Sequence, residues 1–355
     1  MAHLQSILAA AVATNASDVY LLEGTPPTLK VDGVAEPLET AAPLTRGEVE
    51  MFLSELVPEP QRRRFEATGE ANLSYVHSDL GRFRLNCYQA LGATGIVLRR
   101  VKTEVPSFES LDLPPLLAEL ALERQGLILV VGATGAGKST TVAAMIDYRN
   151  AHSRGHIVTI EDPVEFIHPR KQSVISQREV GIDTDSYLIG LQNALRQAPD
   201  VIFVGELRDT GTVAVALHSA ETGHLVFSTL HATNATGAIE RLVNFFPPDA
   251  RGSILMQLSL MVRAIIVQRL VPRAGGKGRV AAMEILLNTP RIQALIRRGE
   301  LDTIRQAIEE ATNEGLQTFD QALFTLYQER MITQEDALRF ADSSNNLRLR
   351  MKGIK

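Results

Sequence analysis

GLILVVGATGAGKSTTVAAM, residues 126–145, decides the fold class of the domain that contains it. Leu127 to Val131 is an unbroken apolar run ending in two β-branched residues. That composition predicts a strand buried on both faces, as a parallel sheet requires. Gly132, Gly137, Lys138 and Ser139 then match the P-loop pattern G-x-x-x-x-G-K-[ST], and Thr140 to Ile146 continues as a helix. Glycines let successive amides of Gly132, Ala133, Thr134, Gly135, Ala136 and Gly137 curl around phosphate oxygens. The Lys138 ammonium reaches the β and γ phosphates, the Ser139 hydroxyl ligates Mg²⁺, and Thr140 lies in the helical turn whose amides favour an anion. The competing reading, a flexible Gly-rich turn, does not explain the strand before it and the helix after it. The stretch points to a nucleoside triphosphate.

A chain of 355 residues has room for two or three domains. A composition 45% hydrophobic and 22% charged is that of an ordinary globular chain, and a net charge of −5 argues against a general nucleic-acid binder. The single cysteine, Cys87, excludes an internal disulfide and a four-cysteine zinc site, and reads as a packing residue. No run reaches the roughly 18 apolar residues needed to span a bilayer. The nearest, Leu258 to Val271, is broken by Arg263, Gln268 and Arg269. Near the N-terminus, Leu4, Ile7, Leu8, Ala11 and Val12 follow helical spacing, which favours an amphipathic helix over a signal peptide.

The first hundred residues read as a small α+β domain. Strands are expected at 18–22, at 29–34 with a break at Asp32-Gly33, and at 71–77, 81–89 and 95–100. Thr45 and Glu48 form a capping box for a helix over 44–56. In Gly81-Arg-Phe-Arg-Leu-Asn, Phe83 and Leu85 face one side and Arg82 and Arg84 the other. Two readings stay open: a half-buried strand with a solvated cationic face, or arginines that reach a neighbouring subunit's nucleotide. Proline-rich 105–115 is the expected linker, and the alternation of apolar strands with helices after it predicts a doubly wound α/β domain.

Several strands of that domain end in chemically useful residues, which in an open parallel sheet is where ligands bind. After the strand from His156 come Glu161, Asp162 and Glu165, candidates for Mg²⁺ binding or water activation, with an acidic turn as the alternative. Val201 to Val204 followed by Gly205 and Glu206 has the Walker B form, so Glu206 would hold a metal-bound water or orient the attacking one. Arg208 and Asp209 then form a salt-bridged turn or an interface. His224 and His231 bracket a further buried strand, with Ser228 and Thr229 beside His231 at its carboxyl end, where a γ-phosphate sensor would stand. Beyond this an amphipathic helix is expected over 252–270 and a last strand over 279–287. Capping boxes follow at Thr318/Gln321 and Thr333/Asp336, and the cationic end 347–352 reads as a solvated tail.

These residues carry a family resemblance. GATGAGKST at 132–140, TIEDPVEF at 159–166, LRQAPDVIFVGELRD at 195–209 and ETGHLVFSTLHATNA at 221–235 resemble the Walker A, Asp box, Walker B and His box of the secretion ATPase superfamily. ASDVYL at 16–21 and GRFRLN at 81–86 extend the likeness over nearly the whole chain. Within the superfamily it is most similar to the PilT/PilU group, the retraction ATPases of type IV pili that drive twitching motility. The resemblance implies a PAS-like N-terminal α+β domain (1–104), the linker, and a RecA-like P-loop domain (116–355) whose end, from about 290, is helical. It implies ATP and Mg²⁺ as cofactors, the ion held by Ser139 and Glu206. It also implies Glu165 as the general base, His224 and His231 as the His-box pair, and Arg82 and Arg84 as arginines approaching ATP from the next subunit. A cytoplasmic homohexamer is implied, docked peripherally on an inner-membrane platform protein at the pilus base, with a paralogous retraction ATPase as a possible companion. PilT-like chains carry an AIRNLIRE motif where this chain reads RIQALIRRGE at 291–300, and 317–329 and 335–352 look more like PilU. Two readings of function therefore stand: an autonomous retraction motor, or an accessory subunit that binds ATP and acts through a partner motor. A RecA-like DNA motor is disfavoured by the charge and by an aromatic content of 5% without tryptophan.

Overall fold

The side chains of the central strand alternate between two separate cores, and this organises its sheet. A computed structural model describes residues 4–31, 33–38, 41–101 and 104–353. It divides into two compact units, Met1–Glu104 with Glu165–Ile167, and Val105–Val164 with His168–Lys355.

In the first unit the strands are β1 (Asp18–Leu22), β2 (Thr28–Val31), β3 (Val34–Pro37), β4 (Glu70–His77), β5 (Gly81–Ala90) and β6 (Ala93–Val101). They form an antiparallel sheet in the order β3-β2-β1-β6-β5-β4. The expected break after Val31 becomes a hairpin between β2 and β3, with Gly33 at φ +88°. Asp32 of that turn lies outside the described residues. Helix 4–13 buries Leu4, Ile7, Leu8 and Ala11, and helix 46–56 starts from the Thr45/Glu48 capping box. A third helix, Glu59–Thr68, has no counterpart in the sequence reading, because its polar stretch buries only Phe65. On β5, Phe83, Leu85 and Cys87 enter the core, while Arg82 and Arg84 lie on the opposite, half-buried face. Burial pushes the Cys87 thiol up to about 12, in keeping with a packing role.

The second unit contains β7 (Gly126–Val131), β8 (His156–Glu161), β9 (Val174–Glu179), β10 (Val201–Val204), β11 (Leu225–Leu230), β12 (Val262–Pro272) and β13 (Arg279–Leu287). Their order is β13-β12-β7-β11-β10-β8-β9, parallel throughout except for the β12–β13 pair at one edge. Leu127, Leu129 and Val131 pack into one core with helices 187–194, 210–221, 235–244 and the C-terminal helices, whereas Ile128 and Val130 pack into the other with helices 115–121 and 138–152. Both faces are covered, so the sheet is doubly wound, with the P-loop following its strand β7. The α/β reading of the chain therefore stands. The segment expected as a linker carries Phe108 and Leu113 into the second of these cores.

Two expectations are corrected. The helix predicted over 252–270 ends at Met261, and the chain continues as β12. Val262, Ile265, Ile266 and Val267 are β-branched and buried against β7, so sheet burial overrides the helical spacing that the flanking leucines suggest. The C-terminal residues expected as a solvated tail form helix 344–351, anchored by buried Leu347 and by the Arg350 guanidinium 4.8 Å from the Phe324 ring centre. Among the described residues no helix is long and apolar enough to cross a membrane.

Candidate active site

The P-loop occupies the carboxyl end of β7 and feeds directly into helix 138–152, whose N-cap Gly137 has φ +87°. Ala133, Thr134 and Gly135 are exposed at the loop's tip, while Ser139 and Thr140 are half-buried in the first helical turn. The loop forms one wall of a cleft of about 490 Å³, completed by His231, Thr233, Gln268, Arg269, Arg279 and Phe340. All of these belong to the second unit.

Four side chains run in a line beside the loop. Lys138 Nζ donates to the carbonyl oxygens of Gly132 (2.9 Å) and Ala133 (3.0 Å), and lies 3.4 Å from Nδ1 of His231. His231 Nε2 is 3.5 Å from Glu206 Oε1, and Arg208 Nε donates to Glu206 Oε2 at 2.8 Å. An ammonium has only donors, so Nδ1 is the acceptor and the proton of the neutral ring sits on Nε2, facing the carboxylate. Strand order explains the meeting. β7 lies next to β11, and β11 next to β10, so the residues following these three parallel strands emerge side by side. Glu206 is largely enclosed, with its side chain 12% exposed against 37% for His231. A carboxylate held this way can accept from a water, and an imidazole beside it can transmit a change at Lys138.

Around this line the neighbours have structural tasks. Asp209 caps helix 210–221 by accepting from the Thr212 amide at 2.8 Å, so Arg208 and Asp209 serve separate partners and not each other. Ser228 and Thr229, grouped by sequence with His231, donate instead to the carbonyls of Val204 and Gly205 (2.6 and 2.5 Å) and stitch β11 to β10. Glu161, at the end of β8, is buried and accepts from Thr159 at 2.6 Å and Gln177 at 3.2 Å. Tyr187 stands against Gly205, where a Cβ would come within 2.9 Å of its hydroxyl. Burial, then the charges of Asp162, Glu206 and Glu161, push its phenol upward, opposed by Arg208.

His224, of the same unit, does not join the group. His224 precedes β11 at the opposite end of that strand, roughly 20 Å from His231 by strand rise. Its Nδ1 contacts the Ser219 carbonyl at 2.9 Å and the Thr222 hydroxyl at 3.3 Å. Glu165 is exposed and is grouped with the first unit. Arg82 donates to Ser74 Oγ at 3.0 Å within its own sheet, and Arg84 stands on the same face beside it. The structure adds Gln268, which the sequence showed only as a polar break in an apolar run. Among the described residues no group of three or more His, Cys, Asp or Glu side chains could hold a metal by itself.

The family described as Type II/IV secretion system protein matches residues 63–338. Type IV pilus ATPase PilU of Pseudomonas aeruginosa is 47% identical over 348 residues, which is 98% of this chain and 91% of that protein. Type IV pilus retractation ATPase PilT of the same organism is 38% identical over 343 residues, covering 97% and 99% respectively. A crystal structure of the pilus retraction motor PilT with bound ADP superposes with a TM-score of 0.91 at 40% identity, covering 98% of this chain and 99% of that one. The chain belongs to the Type II/IV secretion system protein family and, within it, to the PilT/PilU group of ATP-hydrolysing enzymes.

Proposed function

We propose that the chain is a type IV pilus motor that works as a homohexameric ring, hydrolyses ATP with Mg²⁺ at subunit interfaces, and so drives pilus retraction and twitching motility. The observation that carries this reading is the unbroken line Lys138–His231–Glu206–Arg208 beside the P-loop, in a chain that matches pilus ATPases over nearly its whole length.

In this reading the loop amides and Lys138 neutralise the β and γ phosphates, releasing the ammonium from the loop's own carbonyls. Ser139 and Glu206 offer hard oxygen donors that would hold Mg²⁺, which would supply charge neutralisation at the phosphates. Glu165 acts as general base for the attacking water, and Glu206 orients it. His231 senses the γ-phosphate through Lys138. Arg82 and Arg84 reach the nucleotide of the neighbouring subunit, and His224 acts from a subunit interface. Phosphate release becomes rigid-body motion of subunits docked, in the cytoplasm, on an inner-membrane platform protein.

A second reading has a specific observation behind it. The stretch RIQALIRRGE at 291–300, an amphipathic helix capped by Thr289 and closed by Gly299, departs from the retraction motif of PilT-like chains, and identity is higher to PilU. The chain would then bind ATP and act through a paralogous motor. Mg²⁺-dependent ATP hydrolysis by the purified protein, compared with Glu165→Gln and with mass measured in parallel, separates the two. Turnover by a hexamer, abolished by the substitution, supports the autonomous motor. A hexamer that binds ATP without turnover supports the accessory reading.

A further inference from the structure

Gln268 follows the buried apolar run Ala264–Val267 of β12 and is itself only 3% exposed, unlike the strand's half-buried Arg263 and Arg269. A primary amide in such a place is costly unless its donors and acceptor are used. Both ends are used on the nucleotide loop. Its Oε1 accepts from the Thr141 hydroxyl at 2.7 Å, and its Nε2 donates to the Ala136 carbonyl at 2.8 Å. One side chain therefore spans the junction of loop and helix, bracketing Lys138 and Ser139.

A second observation is independent of these hydrogen bonds. A Cβ at position 132 would stand 2.6 Å from the Gln268 carbonyl oxygen, and one at position 137 would stand 2.8 Å from its Nε2. Both glycines that define the loop pattern are therefore the places where the backbone presses on this residue. Val267 still pairs with Val131 in the sheet, so Gln268 begins where β7 leaves the ladder and the loop takes over.

We propose that Gln268 is a positioning residue for recognition of the nucleotide's phosphates: it moulds the loop's curl and ties it to β12, so that the amides and Lys138 are aimed before ligand arrives. This rests on the reading of residues 132–139 as the phosphate cradle. Preorganisation predicts that losing the clamp weakens phosphate recognition and not only stability.

The test uses the full chain and compares Kd for ADP and AMP, together with Tm, in wild type, Gln268→Leu, Thr141→Val, the double variant and Lys138→Ala. Gln268→Leu is expected to weaken ADP about tenfold or more, in line with the loss of two buried hydrogen bonds, while AMP changes less. Thr141→Val is expected to weaken ADP severalfold, and the double variant to be no weaker than Gln268→Leu, because the two groups act as one unit. A Gln268→Leu protein that melts lower yet, when folded, binds ADP within twofold of wild type overturns the proposal, provided Lys138→Ala abolishes binding. If Lys138→Ala binds ADP normally, the reading of the loop itself fails and the clamp with it. Should Gln268→Leu not fold, Thr141→Val decides: unchanged ADP affinity overturns the proposal, and a loss supports it.

Discussion

His231 Nε2 faces Glu206 Oε1 at 3.5 Å, on the side of the imidazole ring turned away from Lys138. The ring thus links Lys138, proposed to meet phosphate, to Glu206, proposed to meet water. His231→Ala should lower kcat by one to two orders of magnitude, a scale typical for a lost positioned proton donor, while ADP affinity changes less than threefold. His231→Gln, which keeps a donor near Glu206, should retain part of the rate. Steady-state hydrolysis and ADP titration check both statements. Equal loss of binding and rate would show that His231 serves the loop alone.

Arg82 and Arg84 offer a separate test, because they lie on the face of β5 that leaves the core intact when changed. Replacing both with Ala should lower hydrolysis at least tenfold with the mass of the assembly unchanged, the scale seen when an arginine supplied in trans is removed. Undiminished turnover in an intact ring would remove the trans-arginine role.

Glu284 accepts from the Ala235 amide at 2.6 Å at the start of the helix that follows His231. Burial raises its carboxyl to about 7, against the opposing pull of that amide. A folded-state value above the unfolded one means that its contribution is fully present below about pH 4.5 and is lost as pH rises through 7. The loss amounts to about 3 kcal/mol by linkage. Glu284→Gln should therefore gain in Tm relative to wild type between pH 5 and pH 8. A constant difference across that range would count against the shift.

His168 carries the opposite sign. Burial pushes its imidazole down to about 4, although the nearby Asp147 charge acts the other way. The unfolded chain takes up the proton first, so stability is present above about pH 6.5 and falls as pH drops toward 4. His168→Gln should therefore gain in stability relative to wild type as pH falls from 7 to 4.5, read from denaturation curves. Because Glu284 works against it between about pH 4.5 and 6.5, the wild-type profile there should be shallow and each single variant steeper in its own direction.

Much of the fold and of the site was legible because its signals are local. The P-loop, β10 leading to Glu206, β11 leading to His231 and the Thr45 and Thr318 caps each declare themselves within a few residues. What escaped has a physical cause in each case. Helix 59–68 and edge strand β9 bury too little to imprint a period on their sequences. The start of β12 shares leucine spacing with the helix before it, and only its place beside β7 selects the strand. Gln268 looks like a flaw in an apolar run because its partners, Ala136 and Thr141, are brought to it by the sheet and not by the chain. Ser228 and Thr229 misled for the converse reason: adjacency to His231 in sequence says nothing about the carbonyls across the strand that use their hydroxyls.

The strand order also sets a timetable. β7 emerges early from the ribosome, but its flanking strands begin only at Leu225 and Val262. At ribosomal speeds that leaves a wholly apolar strand without its neighbours for on the order of ten seconds. During that interval the nascent chain displays a β-prone segment with no charge to deter pairing with another copy. Yield of the native protein should thus depend on chaperone supply and growth temperature, and fragments halted before β12 should accumulate as aggregates.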